Sequence, residues 1–235
     1  MAKRFVLAKT HNARIVLQHY VRDYPELRES HLKEAIAALE LSRNEVYAAK
    51  DINALRGVEG NAARVYFGCF GQLIRRSEEG ISFEVRTKRP PLDPVNATLS
   101  FVYTLLTRDI VSGCEAVGLD PQLGYLHACR PGRASLALDL IEELRAPMAD
   151  RFVLSLFNRR QLGREDFRQG GAGCYLTERS LKAVVKLWQE RKKEIITHPY
   201  LEEKIPYGLV PFVQAQLFAR YLRGDLDDYP AMLWR

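Results

Sequence analysis

Three places in the sequence carry side chains that an ordinary helical core does not need. They are Glu59 in VEGNAARVYF, His127 in GLDPQLGYLHACRPGR, and the carboxylates Asp139, Glu142 and Glu143 in SLALDLIEELR. On a helical period, Leu55, Glu59, Ala62, Ala63, Tyr66, Phe70 and Leu73 fall along one stripe, so an acid stands among residues bound for the core. A buried, ionised carboxylate is costly unless a cation or several donors meet it. Glu59 therefore calls for an ion pair, with Arg64 or a distant arginine, or for a metal. Asp139, Glu142 and Glu143 lie three and four residues apart and repel one another unless water or a cation intervenes. A solvated helix face is the ordinary explanation of such a triplet, and a lone loop histidine is ordinarily structural.

The combination points elsewhere. Oxygen ligands with one imidazole suit Mg2+ or Mn2+ and not a structural zinc site, which would recruit thiols. Arg130 and Arg133 follow His127 directly, and arginine binds phosphate bidentately. Such a set is that of a metal-dependent phosphoryl transferase or nuclease. The small residues Gly60, Ala62 and Ala63 leave room beside Glu59, while Tyr66 and Phe67 anchor their helix. Cys69, Cys114, Cys129 and Cys174 show no C-x-x-C pairing, which predicts reduced, mostly buried thiols. The net charge of +6 fits a polyanionic partner as well as a merely basic, soluble surface.

The elements that must position these groups read as helices. Apolar residues recur at helical spacing over Phe5 to Tyr20, Leu32 to Ala48 and Leu55 to Ile74. Glu78 to Asn96, with three prolines and the basic cluster Arg86, Lys88 and Arg89, reads as an exposed loop. A long helix then runs from Asn96 to about Val117, ended by Gly118. After the Gly- and Pro-rich segment, helix returns at Ala134 and stops at Pro147, and another follows through MADRFVLSLFNRRQL. A small hairpin is predicted around Gly170, Gly171 and Gly173, then helices over Glu178 to Ile195 and Leu209 to Arg223. The expectation is one mainly α-helical bundle spanning residues 1–235, with little β structure. No apolar run reaches the roughly 18 residues needed to span a bilayer, and the first residues lack the pattern of a signal peptide. A cytoplasmic protein without membrane contact follows.

Four long stretches carry a resemblance. ALRGVEGNAARVYF, RPPLDPVNATLSFVYTLL, GLDPQLGYLHACRPGRASLALDLIEELRAPMADRFVLSLFNRRQL and HPYLEEKIPYGLVPFVQAQLFARYLRGDLDDYPAMLWR strongly resemble, in order, the CRISPR-associated endonuclease and integrase family, the first-numbered Cas proteins. The resemblance implies a subunit of CRISPR adaptation that inserts captured spacer DNA into a CRISPR array. It implies Glu59, His127 and Glu142 as ligands of Mg2+ or Mn2+, with Asp139 as a further acidic position at the catalytic site; spacing alone leaves Glu143 open. A metal on those ligands would polarise a phosphate for attack by a DNA 3′-hydroxyl. Arg130 and Arg133 are then expected to clamp phosphates, and Arg86, Lys88 and Arg89 to add contacts to the DNA backbone. The implied partners are spacer DNA, the CRISPR repeat and the second-numbered Cas protein. Family members form homodimers through a β-rich N-terminal domain that these residues do not contain. The competing expectation is a catalytically incomplete helical scaffold that binds DNA or protein.

Overall fold

The computed structural model describes residues 1–29, 31–75 and 80–235, excluding the side chains of residues 28 and 29. The start of the basic loop predicted from Glu78 lies outside the described residues. Eight α-helices are described: α1 Ala2–Asp23, α2 Leu32–Ala48, α3 Ile52–Gly68, α4 Pro94–Ala116, α5 Ser135–Leu144, α6 Arg151–Asn158, α7 Glu178–Lys192 and α8 Val210–Leu222. Two antiparallel hairpins complete the fold: β1 Phe167–Gly170 with β2 Gly173–Leu176, and β3 Ile195–Thr197 with β4 Lys204–Pro206. The chain is mainly α-helical. No described helix is long and apolar enough to cross a membrane.

Local chemistry sets several of these boundaries. Asp51 accepts from the backbone N–H of Asn53 and Ala54 and starts α3. Asp93 accepts from Asn96 N–H, and Pro94 in the first turn gives α4 a preset φ. Gly118, at φ +77°, ends that helix. α1 packs on α2, α3 and α5, and α4 packs on α8 and α5, so α1 and α5 form the centre of the domain. The core stripe of α5, Leu136, Leu140, Ile141 and Leu144, is buried throughout.

The structure departs from the sequence expectations at four points. The helix expected to reach Ile74 ends at Gly68, and Phe70–Leu73 forms a separate 3₁₀ turn whose Phe70 and Leu73 still enter the core. The loop before α4 is not simply exposed: Ile81 and Phe83 are buried, with Phe83 against Phe70 at 5.1 Å between ring centres. Ile195 begins β3 instead of ending α7, which stops at Lys192. Pro147 does not stop the helix after α5. Arg145–Asp150 instead widens into a π-turn that leads directly into α6. Proline cannot donate to the carbonyl four residues back and clashes with it in an α-helix. That carbonyl, on Glu143, accepts from the Asn12 side chain of α1 at 2.6 Å, so the wider turn leaves no orphaned acceptor.

Of the cysteines, Cys69, Cys114 and Cys174 are buried and Cys129 is exposed, and all four are free thiols.

Candidate active site

Asp139, Glu142 and Glu143 are not a solvated face: they are 0%, 3% and 0% exposed, and each serves a different environment. Asp139 points to the loop before α5. It accepts from the backbone N–H of Tyr125, Leu126 and His127, and its Oδ1 meets His127 Nδ1 at 2.6 Å. From the other side Arg56 of α3 donates to the Leu126 carbonyl at 2.6 and 3.0 Å. The loop is also too tight for a side chain at position 124, where a Cβ would stand 2.6 Å from the His127 carbonyl oxygen. His127 is thereby fixed by its own backbone and by one ring nitrogen, which leaves Nε2 for another partner.

Glu142 points to α1 and α3. Its Oε1 pairs with Arg145 at 2.8 Å, and its Oε2 lies 2.5 Å from Lys9 Nζ. The same ammonium meets Glu59 Oε1. The cation that answers the carboxylate on the apolar stripe is thus Lys9 of α1, and Arg64 instead donates to Asn61. Burial opposes the charged form of Glu142, but Arg145 and Lys9 overcome that cost and hold its pKa down at about 2; the charge of His127 adds to them. Glu59, His127 and Glu142, which the sequence brings from α3, a loop and α5, therefore stand around one region.

Glu143 turns away from that region. It accepts from Tyr229 Oη, from Gln214 Nε2 at 3.1 Å and from Met232 N–H at 2.7 Å. It is fully engaged by the C-terminal segment, which separates it from the pair formed by Glu59 and Glu142.

Cations dominate the surroundings. Arg145 lies over the Tyr103 ring at 4.8 Å, and Tyr103 Oη donates to the buried Asp150 at 2.5 Å. Burial raises the pKa of Asp150 to about 6. Lys88 is exposed along its length, yet its ammonium is close enough to the same region for partial desolvation first, and then the charges of Arg145, Lys9 and Arg86, to lower its pKa. Arg86 is turned inward from the proline-rich loop, donating to Asn96 Oδ1 at 2.7 Å and to Ser100 Oγ at 3.1 Å, so it staples that loop to α4. Arg89 and Arg130 are exposed, and Arg133 is half-buried.

Among the described residues no three His, Cys, Asp or Glu side chains stand close enough together to hold a metal ion. The Lys9 ammonium stands between the two carboxylates that the resemblance assigns to one. The donor set nevertheless suits a divalent ion. Two carboxylates and an imidazole with its second nitrogen held by an acid are the ligands Mg2+ or Mn2+ accepts.

The fold and this polar centre define a mainly α-helical domain whose charged groups come together between α1, α3 and α5. Residues 1–190 match the family model of CRISPR associated protein Cas1. The chain is 52% identical, over its whole length and 70% of the relative's, to the CRISPR-associated endonuclease Cas1 2 of Rhodospirillum rubrum. It is 44% identical, over its whole length and 93% of the relative's, to the CRISPR-associated endonuclease Cas1 of Leptospira interrogans. It also superposes with TM-score 0.82 and 25% identity on a solved Cas6-RT-Cas1–Cas2 complex, covering 99% of this chain and 24% of that one. The chain belongs to the Cas1 family.

Lys9, Arg56 and Arg145 are among the site residues that the sequence reading missed. Lys9 was legible: Phe5, Lys9, Asn12 and Val16 follow one helical stripe, and all four are buried. The anomaly that singled out Glu59 on α3 has its counterpart on α1.

Proposed function

We propose that this chain is a divalent-metal-dependent DNA endonuclease and integrase subunit of CRISPR adaptation, joining captured spacer DNA to the CRISPR array by phosphoryl transfer. The observation that carries this reading is the approach of Glu59 and Glu142 to one cation, beside His127, in a member of the Cas1 family. Glu59, Glu142 and His127 Nε2 would hold Mg2+ or Mn2+, which when bound supplies Lewis-acid stabilisation of charge on a phosphate oxygen. Asp139 is a positioning residue: it keeps His127 Nδ1 engaged and so presents Nε2. Lys9, Arg145 and Lys88 supply an excess of positive charge that favours a phosphodiester. Arg130, Arg133 and Arg89 are available to grip the DNA backbone, whereas Arg86 acts through the loop it holds. The partners are spacer DNA, the repeat, and the Cas2 protein of the same system, in keeping with the complex on which the chain superposes. In the family's manner the working unit is a homodimer in the cytoplasm.

The test is cleavage of a branched DNA in Mn2+ by the unsubstituted chain and by Glu59→Ala, His127→Ala and Glu142→Ala. Loss in all three is expected; undiminished cleavage by all three sinks the assignment.

One observation favours the alternative of a catalytically incomplete scaffold: Lys9 and Arg145 together already neutralise both carboxylates without a metal. Calorimetry separates the readings, because the scaffold takes up no Mn2+.

A further inference from the structure

Lys9 of α1 joins two acids that come from different helices, Glu59 of α3 and Glu142 of α5. Glu142 has two oxygens and two cations. Arg145 holds Oε1 from the same helix and is itself anchored over the Tyr103 ring. Lys9 reaches Oε2 from another helix, on a flexible four-carbon stem. The same ammonium holds Glu59, which is half-buried, so it bridges two acids that would otherwise repel each other. Of the two partners of Glu142, Lys9 is the one that can leave without uncoupling α5 from its own side chain. A small cavity of about 20 Å3 adjoins Lys9, and a third carboxylate, that of Asp150, lies on its wall with Tyr66 and Arg145.

We propose that Lys9 is an internal counter-ion that holds Glu59 and Glu142 together in the metal-free protein and must withdraw when a divalent ion binds them. The proposal rests on the metal-site reading above. It assigns to α1 a role in setting metal affinity: the lysine keeps the acids assembled and weakens binding of any ion that must displace it. Its physical content is a competition between one ammonium and one divalent ion for the same oxygens, in a site where like charges at short range repel strongly.

The experiment measures Mn2+ binding by calorimetry, and thermal unfolding in EDTA and in Mn2+, for the unsubstituted chain, Lys9→Met and Glu142→Gln. Lys9→Met is expected to unfold at lower temperature in EDTA, to bind Mn2+ about tenfold more tightly, and to gain a larger stabilisation from the metal. Binding by Lys9→Met that equals or falls below that of the unsubstituted chain overturns the proposal while leaving the metal site standing. Equal binding by Glu142→Gln and the unsubstituted chain shows that the metal lies elsewhere, and the site reading falls together with the proposal. If Lys9→Met does not fold, Lys9→Gln carries the same comparison with a polar group kept against the acids.

Discussion

Asp139 Oδ1 lies 2.6 Å from His127 Nδ1, and the same carboxylate accepts three consecutive backbone N–H groups of the loop that carries the histidine. One buried acid thus fixes both the ring and the chain from which the ring projects. Asp139→Asn keeps the size of the side chain but loses the charge that orients the imidazole. We expect DNA cleavage to fall about 10- to 100-fold, with a His127 ring signal displaced in the NMR spectrum. An unmoved ring signal with reduced cleavage would contradict the positioning role.

The tightness of that loop gives a second expectation. At Gly124 an added Cβ would meet the His127 carbonyl oxygen at 2.6 Å and Ser135 Cβ at 2.7 Å. Backbone on one side and the start of α5 on the other leave little room to yield. Gly124→Ala should cost on the order of 1–3 kcal/mol in a denaturant titration and speed hydrogen exchange at residues 125–127. A variant as stable as the unsubstituted chain would show that the loop relaxes freely.

Glu143 gives a pH dependence. Burial raises its pKa from the ordinary 4.5 to about 7, against the donors that favour its charge. The folded chain therefore prefers the protonated form, and the stability this group contributes is complete below its unfolded pKa and is lost as pH rises through about 7. Glu143→Gln remains neutral. Between about pH 5 and pH 8 its stability relative to the unsubstituted chain should rise by on the order of 3 kcal/mol. Asp150 titrates in both proteins and cancels from the difference. A difference that stays constant over the range would show that Glu143 is charged throughout.

DNA binding should separate grip from site. Arg130→Ala combined with Arg133→Ala is expected to reduce the slope of log affinity against log salt by about two, one per lost phosphate contact, for every DNA sequence tried. Arg86→Ala should act differently. Its guanidinium is committed to Asn96 and Ser100, so the loss should appear first in stability. Should the slope stay unchanged in the double variant, these arginines do not touch phosphate.

Much of this architecture can be read from the sequence, and the parts that cannot share a cause. The limits of α2, Leu32 to Ala48, are the ones its apolar period predicts. The hairpin of β1 and β2 follows from its glycines. Pro147 misleads because a local rule met a distant donor: Asn12, far away in the chain, accepts the duty that the missing N–H leaves open. The acids of α5 mislead for the same reason. Their spacing suggests one face, but three different segments receive them: the loop at 125–127, α1 with α3, and the C-terminal residues around Tyr229. Composition finds the carboxylates; only packing says which of them share a cation.

The bridge among Lys9, Glu59 and Glu142 also bears on the order in which the chain acquires its properties. Its members lie on α1, α3 and α5, with Lys9 and Glu59 already 50 residues apart, and none of the contacts can form within a single helix. Closing such separations costs chain entropy before any contact repays it. A folding chain can therefore acquire every helix named here and still lack the bridge, because it is completed only when all three helices dock. The charged centre is in this sense a late mark of the fold: it exists only once α1, α3 and α5 have come together.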